Sequence, residues 1–160
     1  MLKTAGLILI IIGSLGGSLW NASYQKQRLY INESILDFII YIKNRIHFFH
    51  ESLDEVYSSY ENEYLQKRGF LTAITDTGFN RALTQSGIDE CFDKKTVSVL
   101  RNFGKKLGKT GIEEQIANCN SCIEQLQFSL EKLRKETPER IKMYSSLSII
   151  GGLGISLLLI

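Results

Sequence analysis

Two stretches of this chain are apolar without interruption, and the segment between them alternates apolar with polar positions. Thr4 to Trp20 reads TAGLILIIIGSLGGSLW and Met143 to Ile160 reads MYSSLSIIGGLGISLLLI, neither with an Asp, Glu, Lys or Arg. As helices of 17 and 18 residues they would cover about 26 Å, slightly under the roughly 30 Å of a hydrocarbon core. Both are therefore predicted as short transmembrane helices, over 4–20 and 143–160. An export signal is the rival for the first, since it too begins with a basic residue and an apolar run. Its exit is wrong for cleavage, because Trp20 and Asn21 precede Ala22 where small residues are needed. A buried core helix is the rival for the second, but a soluble domain seldom closes on Ser-Leu-Leu-Leu-Ile with Lys142 outside as an interfacial anchor.

Residues 21–142 carry the helical period. Ile31, Ile35, Phe38, Ile42, Ile46 and Phe49 fall at steps of four and three, and Ile39 and Ile40 widen the stripe, so this helix is expected to be buried on more than one side. It can continue straight out of the first span. Ser52 and Glu55 predict a capping box on a short acidic helix, Gly69, Gly78 and Gly87 punctuate further short helices, and Phe79 to Gln85 is the clearest of these. Asp93 precedes a helix with Val97, Leu100, Phe103 and Leu107 on one face, closed by Gly108. Thr110 with Glu113 predicts a second capping box, opening the longest helix. There Ile112, Ile116, Cys119, Ile123, Leu126, Leu130 and Leu133 form a heptad seam. Thr137-Pro138 predicts a kink or restart with Thr137 as cap. The fold class is all-α: an antiparallel helical bundle over 21–142, flanked by an N-terminal and a C-terminal transmembrane helix.

Composition changes the picture only when it is resolved along the chain. The 160 residues are 44% hydrophobic and 22% charged with net charge +2, values of an ordinary soluble domain. Yet every charged residue except Lys3 lies in 21–142. Lys26 and Arg28 follow the first span, and Lys132, Arg134, Lys135, Arg140 and Lys142 precede the second, so the positive-inside rule places the middle domain in the cytoplasm. Gly13 with Gly17 and Gly152 with Ser156 put small residues four apart, a pattern that lets membrane helices pack closely and is also common in spans generally. Within the middle, 46–66 holds Glu51, Asp54, Glu55, Glu61 and Glu63 without a base, while 94–112 holds Lys94, Lys95, Arg101, Lys105, Lys106 and Lys109 without an acid. These segments either face each other, solvate their helices, or mark contacts with partners or anionic lipid, with Glu51, Asp54, Glu55, Lys105 and Lys106 as candidate partner-binding residues.

Catalytic chemistry finds little footing. Cys119-Asn-Ser-Cys122 spells C-x-x-C, which opens an alternative as a membrane-anchored redox or metal-binding protein. Cys119 occupies a seam position, however, and neither Cys91, His47 nor His50 completes a zinc spacing, so buried structural thiols are expected. His47 and His50 read as half-buried or helix-terminal residues rather than catalytic ones. Phosphate-binding glycine loops, nucleophile elbows and metalloprotease pairs are all missing from the sequence. The expectation is a protein that is not an enzyme, with no cofactor, no metal and no nucleic-acid partner. A lysis or pore-forming protein would have no use for so large a helical domain.

Met1-Leu2-Lys3 with Gly6, Phe103-Gly104-x-x-Leu107-Gly108, the following helix with Gln115, and Lys142-Met143-Tyr144-x-Ser146-Leu147 with Gly152 together resemble stage III sporulation protein AB over nearly the whole chain. The resemblance implies an integral membrane protein of endospore-forming bacteria, in the mother-cell (outer forespore) membrane, within a channel complex joining mother cell to forespore. It implies a helical bundle similar to the cytoplasmic domain of type II secretion and type IV pilus inner-membrane platform proteins. It also implies a scaffold that docks a secretion-type ATPase, stage III sporulation protein AA, among other stage III sporulation proteins, with homo-oligomers possible. The chain departs from the family's pattern in carrying Lys43 and Arg45 ahead of Ile46 in place of glutamates, Glu51-Ser52-Leu53 in place of Thr-Pro-Leu, and Pro138 before the last span. Glu51, Asp54 and Glu55 are the residues that would restore the family's acidic groove one turn later.

Overall fold

The computed structural model describes the backbone of residues 2–158 and the side chains of 22–143 and Ser146. The side chains of 4–20 and, apart from Met143 and Ser146, of 143–160, including the pairs Gly13/Gly17 and Gly152/Ser156, lie outside the described side chains. Among the described residues no helix is long and apolar enough to cross a membrane. The described residues form seven α-helices in order: α1 Leu2–Asn44, α2 Leu53–Ser59, α3 Glu63–Lys67, α4 Phe70–Thr77, α5 Phe79–Gln85, α6 Lys94–Lys106 and α7 Ile112–Leu158. A π-helical turn, Arg45–Phe49, extends α1, and a short 3-10 turn, Asp89–Cys91, precedes α6. No strand occurs among the described residues. The chain divides into two compact units, Arg28–Glu131 and Met1–Gln27 with Lys132–Ile160.

In the unit Arg28–Glu131, α1 is the helix around which the others pack. Ile35, Phe38, Ile39 and Ile42 are fully buried and Ile31 nearly so. The buried arc also takes in Ser34 and Leu36, as a helix covered on more than one side requires. A chain of aromatic rings then ties the helices together. Phe38 meets Phe70 edge-on at 5.8 Å, Phe70 meets Phe79 at 5.9 Å, and Phe79 meets Phe103 at 5.2 Å, linking α1, α4, α5 and α6. Each such pair contributes about 0.5–1.5 kcal/mol beyond its buried area. The α6 and α7 helices run antiparallel: the Asn118 side-chain amide donates to the Phe103 carbonyl at 3.2 Å, and Thr96 and Ser129 share a hydroxyl contact of 2.9 Å toward the opposite ends.

Local signals explain most boundaries. Ser52 and Glu55 form the expected capping box of α2. Asp93 caps α6 by accepting from the Thr96 backbone at 2.9 Å and the Thr96 hydroxyl at 3.0 Å, and it also accepts from Ser129 at 3.3 Å. Burial of Asp93 opposes its charge, but these hydrogen bonds outweigh it and hold the carboxyl below the usual range. Gly104 sits where α5 and α6 come closest; a Cβ there would lie 2.5 Å from Asn80 Oδ1 and 2.7 Å from Phe79 Cδ1.

Four expectations are corrected. The longest helix is not opened by a Thr110–Glu113 capping box: it starts at Ile112, Gln115 N–H donates to the Gly111 carbonyl at 2.9 Å, and Thr110 Oγ1 has no partner among the described residues. Thr137-Pro138 does not restart the chain, because α7 continues through Pro138 and the Thr137 hydroxyl bonds back to the Leu133 carbonyl at 2.6 Å instead of capping. This back-bonding is the usual habit of a threonine inside a helix. The apolar stripe of α1 ends at Ile46, since the wider π turn swings Phe49 into solvent at 63% exposure. For His47 and His50 the half-buried reading is corrected and the helix-terminal one stands: both are exposed, His47 lies in the last turn, and His50 takes the left-handed conformation with φ 55° that ends it.

In the other unit, Gln25 and Thr137 are buried, and Glu136 pairs with Arg140 at 3.0 Å and Lys132 at 3.7 Å.

Candidate docking site

A cleft of about 420 Å³ opens at one end of the bundle of Arg28–Glu131, where the π turn, the start of α2 and the α6–α7 turn meet. Its apolar lining is Ile46, Leu53 and Ile112, and its polar lining includes His50, Glu51, Ser52, Asp54 and Gln115. The α6–α7 turn that forms one wall is fixed by two residues of the sequence motif, Gly108 and Gln115. Gly108 has φ 76°, a conformation that L side chains resist, and a Cβ there would also lie 2.8 Å from Leu53 Cδ1. Gln115 spans the turn: its amide donates to the Thr110 carbonyl at 2.9 Å, and its Oε1 accepts from Gly108 N–H at 3.2 Å.

The opposite wall is set by Arg45. Its guanidinium donates to Glu51 at 2.9 Å and to the Tyr41 hydroxyl at 2.9 Å, and it lies over the Tyr41 and Phe49 rings at 5.1 and 5.2 Å. The bond to Tyr41 raises the arginine's pKa most; desolvation opposes it, and the charge of Glu51 adds a smaller rise. One of the basic residues that departs from the family's pattern therefore neutralises Glu51. Glu55 is also committed, because its Oε2 accepts from the Ser52 backbone and hydroxyl, both at 2.9 Å, which lowers its pKa. Of the three candidate acids only Asp54 lines the cleft with an exposed carboxylate that no hydrogen bond or ion pair holds, and Glu55 does not line it. Phe48 at 67% exposure and Phe49 at 63% sit on the adjoining π turn, and Ile112 at 44% sits on the rim. The result is a mixed cleft, three apolar side chains set among polar ones with one free acid, rather than a strongly acidic groove.

The two candidate lysines are adjacent in sequence but separate in space. Lys105 lines a shallow depression of about 490 Å³ between α5 and α6 with Arg81 and Arg101. Lys106 lines a smaller groove of about 180 Å³ between α6 and α7. Among the described residues no ion pair joins segment 46–66 to segment 94–112, so the two charged segments do not neutralise each other.

Cys119 and Cys122 are buried in the core, as is Cys91, and all three are free thiols. Burial pushes Cys119 up to about 11 and Cys122 up to about 12, the latter also through Cys119. Thiolate is the reactive and metal-binding form, so this environment suits packing rather than redox or metal chemistry. Among the described residues no group of three or more metal-ligating side chains is assembled. Phe49 and Ile112 escape a reading by periodicity because both extend stripes that are buried elsewhere, and the π turn and the late start of α7 expose them; Phe48 belongs to no stripe.

Among the described residues the fold is all-helical, with two long helices, α1 and α7, and five shorter ones between them along the chain. The chain belongs to the stage III sporulation protein AB family, whose model matches residues 3–160. Membership places its role in the third stage of sporulation and its partners among the sporulation proteins. No curated protein and no solved structure matches the chain.

Proposed function

We propose that the chain is a non-catalytic membrane scaffold of the channel complex between mother cell and forespore. Residues 4–20 and 143–160 anchor it in the mother-cell (outer forespore) membrane, with 21–142 in the cytoplasm. The cleft docks a secretion-type ATPase, stage III sporulation protein AA. The carrying observation is the cleft at the bundle end, where Ile46, Leu53 and Ile112 offer apolar walls beside exposed Phe48 and Phe49 and one free carboxylate, Asp54. Aromatic side chains around an apolar recess are the composition of energetic centres in protein interfaces. Family membership supports the sporulation setting, and the choice of partner rests on what the family resemblance implies.

The test is genetic and topological. A strain lacking the chain is expected to form no mature spores, to recover with the wild-type gene, and to stay defective with an Asp54→Lys/Ile112→Ser variant that is made at normal level. Normal sporulation of the deletion strain would overturn the role, and full recovery with the variant would overturn the cleft. Protease added to intact protoplasts should leave 21–142 uncut; digestion would overturn the topology.

A further inference from the structure

The outer faces of α6 and α7 carry stripes of opposite charge with the same spacing. On α6, Lys94, Ser98, Arg101 and Lys105 follow steps of four, three and four, and all are exposed. On α7, Glu113, Ala117, Asn120 and Glu124 follow the same steps and are likewise exposed. At 3.6 residues per turn each set lies along one side of its helix. The neighbouring sequence keeps the signs pure. No acid lies in 94–112, and α7 has no Lys or Arg between Lys109 and Lys132.

Within one molecule these stripes do not meet. The α6 and α7 helices pack through other faces, by way of Phe103 with Asn118 and Thr96 with Ser129. Among the described residues none of Lys94, Lys105, Glu113 and Glu124 makes an ion pair. Arg101 is tied to Asp89 at 3.2 Å. The complementarity is therefore unused inside the chain and fits a second copy.

We propose that the α7 stripe of one copy docks antiparallel on the α6 stripe of another. The register that places Glu113 beside Lys105 places Glu124 beside Lys94, because both pairs of charges are eleven residues apart, about 16 Å along a helix. In between, Asn120 faces Ser98, and the short Ala117 faces Arg101, whose guanidinium is drawn aside to Asp89, so the two helices can approach. Glu113 and Glu124 do not line the docking cleft. The contact stands apart from the docking reading, and self-association tests it without the ATPase. Exposed ion pairs are individually weak and screened by salt, so the association is weak and salt-sensitive.

The experiment uses the full chain in mild detergent, with sedimentation velocity at low and high salt. Wild type is expected to self-associate at low salt and to weaken about tenfold or more at high salt. Lys94→Glu/Lys105→Glu and Glu113→Lys/Glu124→Lys should each be monomeric alone, and their equimolar mixture should recover association, since each variant then meets its opposite charge. A monomeric wild type, association retained by either reversed variant, or a mixture that fails to recover would overturn the contact. If the lysine variant keeps self-association but loses binding to phosphatidylglycerol vesicles, the basic stripe serves lipid and the proposal fails.

Discussion

Replacing Gly104 with alanine should destabilise the bundle even though alanine is the better helix former. Two effects compete. In a helix interior alanine is favoured over glycine by about 1 kcal/mol. Against this, the new methyl would lie 2.5 Å from Asn80 Oδ1, 2.7 Å from Phe79 Cδ1 and 3.0 Å from Asn80 Cγ. Phe79 cannot yield cheaply, because it is 4% exposed and held edge-on between Phe70 and Phe103. Asn80 is held as well, its amide donating to the Arg101 carbonyl at 3.1 Å. Overpacking of this kind costs about 1–3 kcal/mol. Two contacts below 3.0 Å with held groups put the cost in the upper part of that range, so the net loss is about 1–2 kcal/mol, read from the shift of the urea midpoint of the full chain at unchanged slope. A cycle with Asn80→Ala sharpens the test, since trimming Asn80 relieves part of the crowding and the two losses should fail to add by about 1 kcal/mol. Unchanged or increased stability of Gly104→Ala, or strict additivity with Asn80→Ala, would refute the close α5–α6 approach.

Three further outcomes follow from the capping, the thiols and the α6–α7 turn. Asp93→Ala should cost about 1–2 kcal/mol at pH 7. The folded carboxyl titrates below its unfolded value of about 3.9, so the contribution is present above pH 4 and fades as pH falls through the folded pKa; equal stability of variant and wild type at pH 7 would count against the cap. Unfolded Cys119 and Cys122 ionise near pH 9 but the folded thiols only near 11 and 12, so stability should fall from about pH 9 upward. At pH 10 the loss is roughly 1 kcal/mol per thiol and should vanish in Cys119→Ala/Cys122→Ala; rapid labelling of both native thiols by a maleimide at neutral pH would contradict their burial. Gly108→Ala should cost about 1–2 kcal/mol for its left-handed backbone alone, measured in the same urea experiment, and a neutral result would contradict the turn.

Periodicity revealed the helices because burial on one side repeats with the helical turn. Ile31 through Ile46 on α1, and Cys119 through Leu130 on α7, are buried as their spacing implies. What periodicity could not show was where the pattern stops: Phe49 and Ile112 extend their stripes in sequence, yet the π turn exposes one and the tight turn at Gly108 exposes the other. Thr137-Pro138 reads as a break because proline removes a hydrogen bond, but one missing bond does not end a helix of 47 residues. The acids of the site were legible only as charges. Their different uses, Glu51 paired with Arg45, Glu55 in the capping box and Asp54 free, depend on partners close in space whose bonds no spacing specifies. The α6 and α7 stripes were legible as composition, but their shared spacing acquires meaning only once both faces are known to be exposed.

The docking cleft is tested most directly by measuring the affinity of the full chain for purified stage III sporulation protein AA, wild type against Asp54→Lys/Ile112→Ser, with Lys94→Glu/Lys105→Glu as a control at a different surface. Wild type and the lysine variant should bind alike, and the cleft variant should bind at least about tenfold more weakly while keeping its helical circular dichroism, since tenfold is only about 1.4 kcal/mol. Equal binding by the cleft variant, or no binding by wild type, would contradict the proposed scaffold.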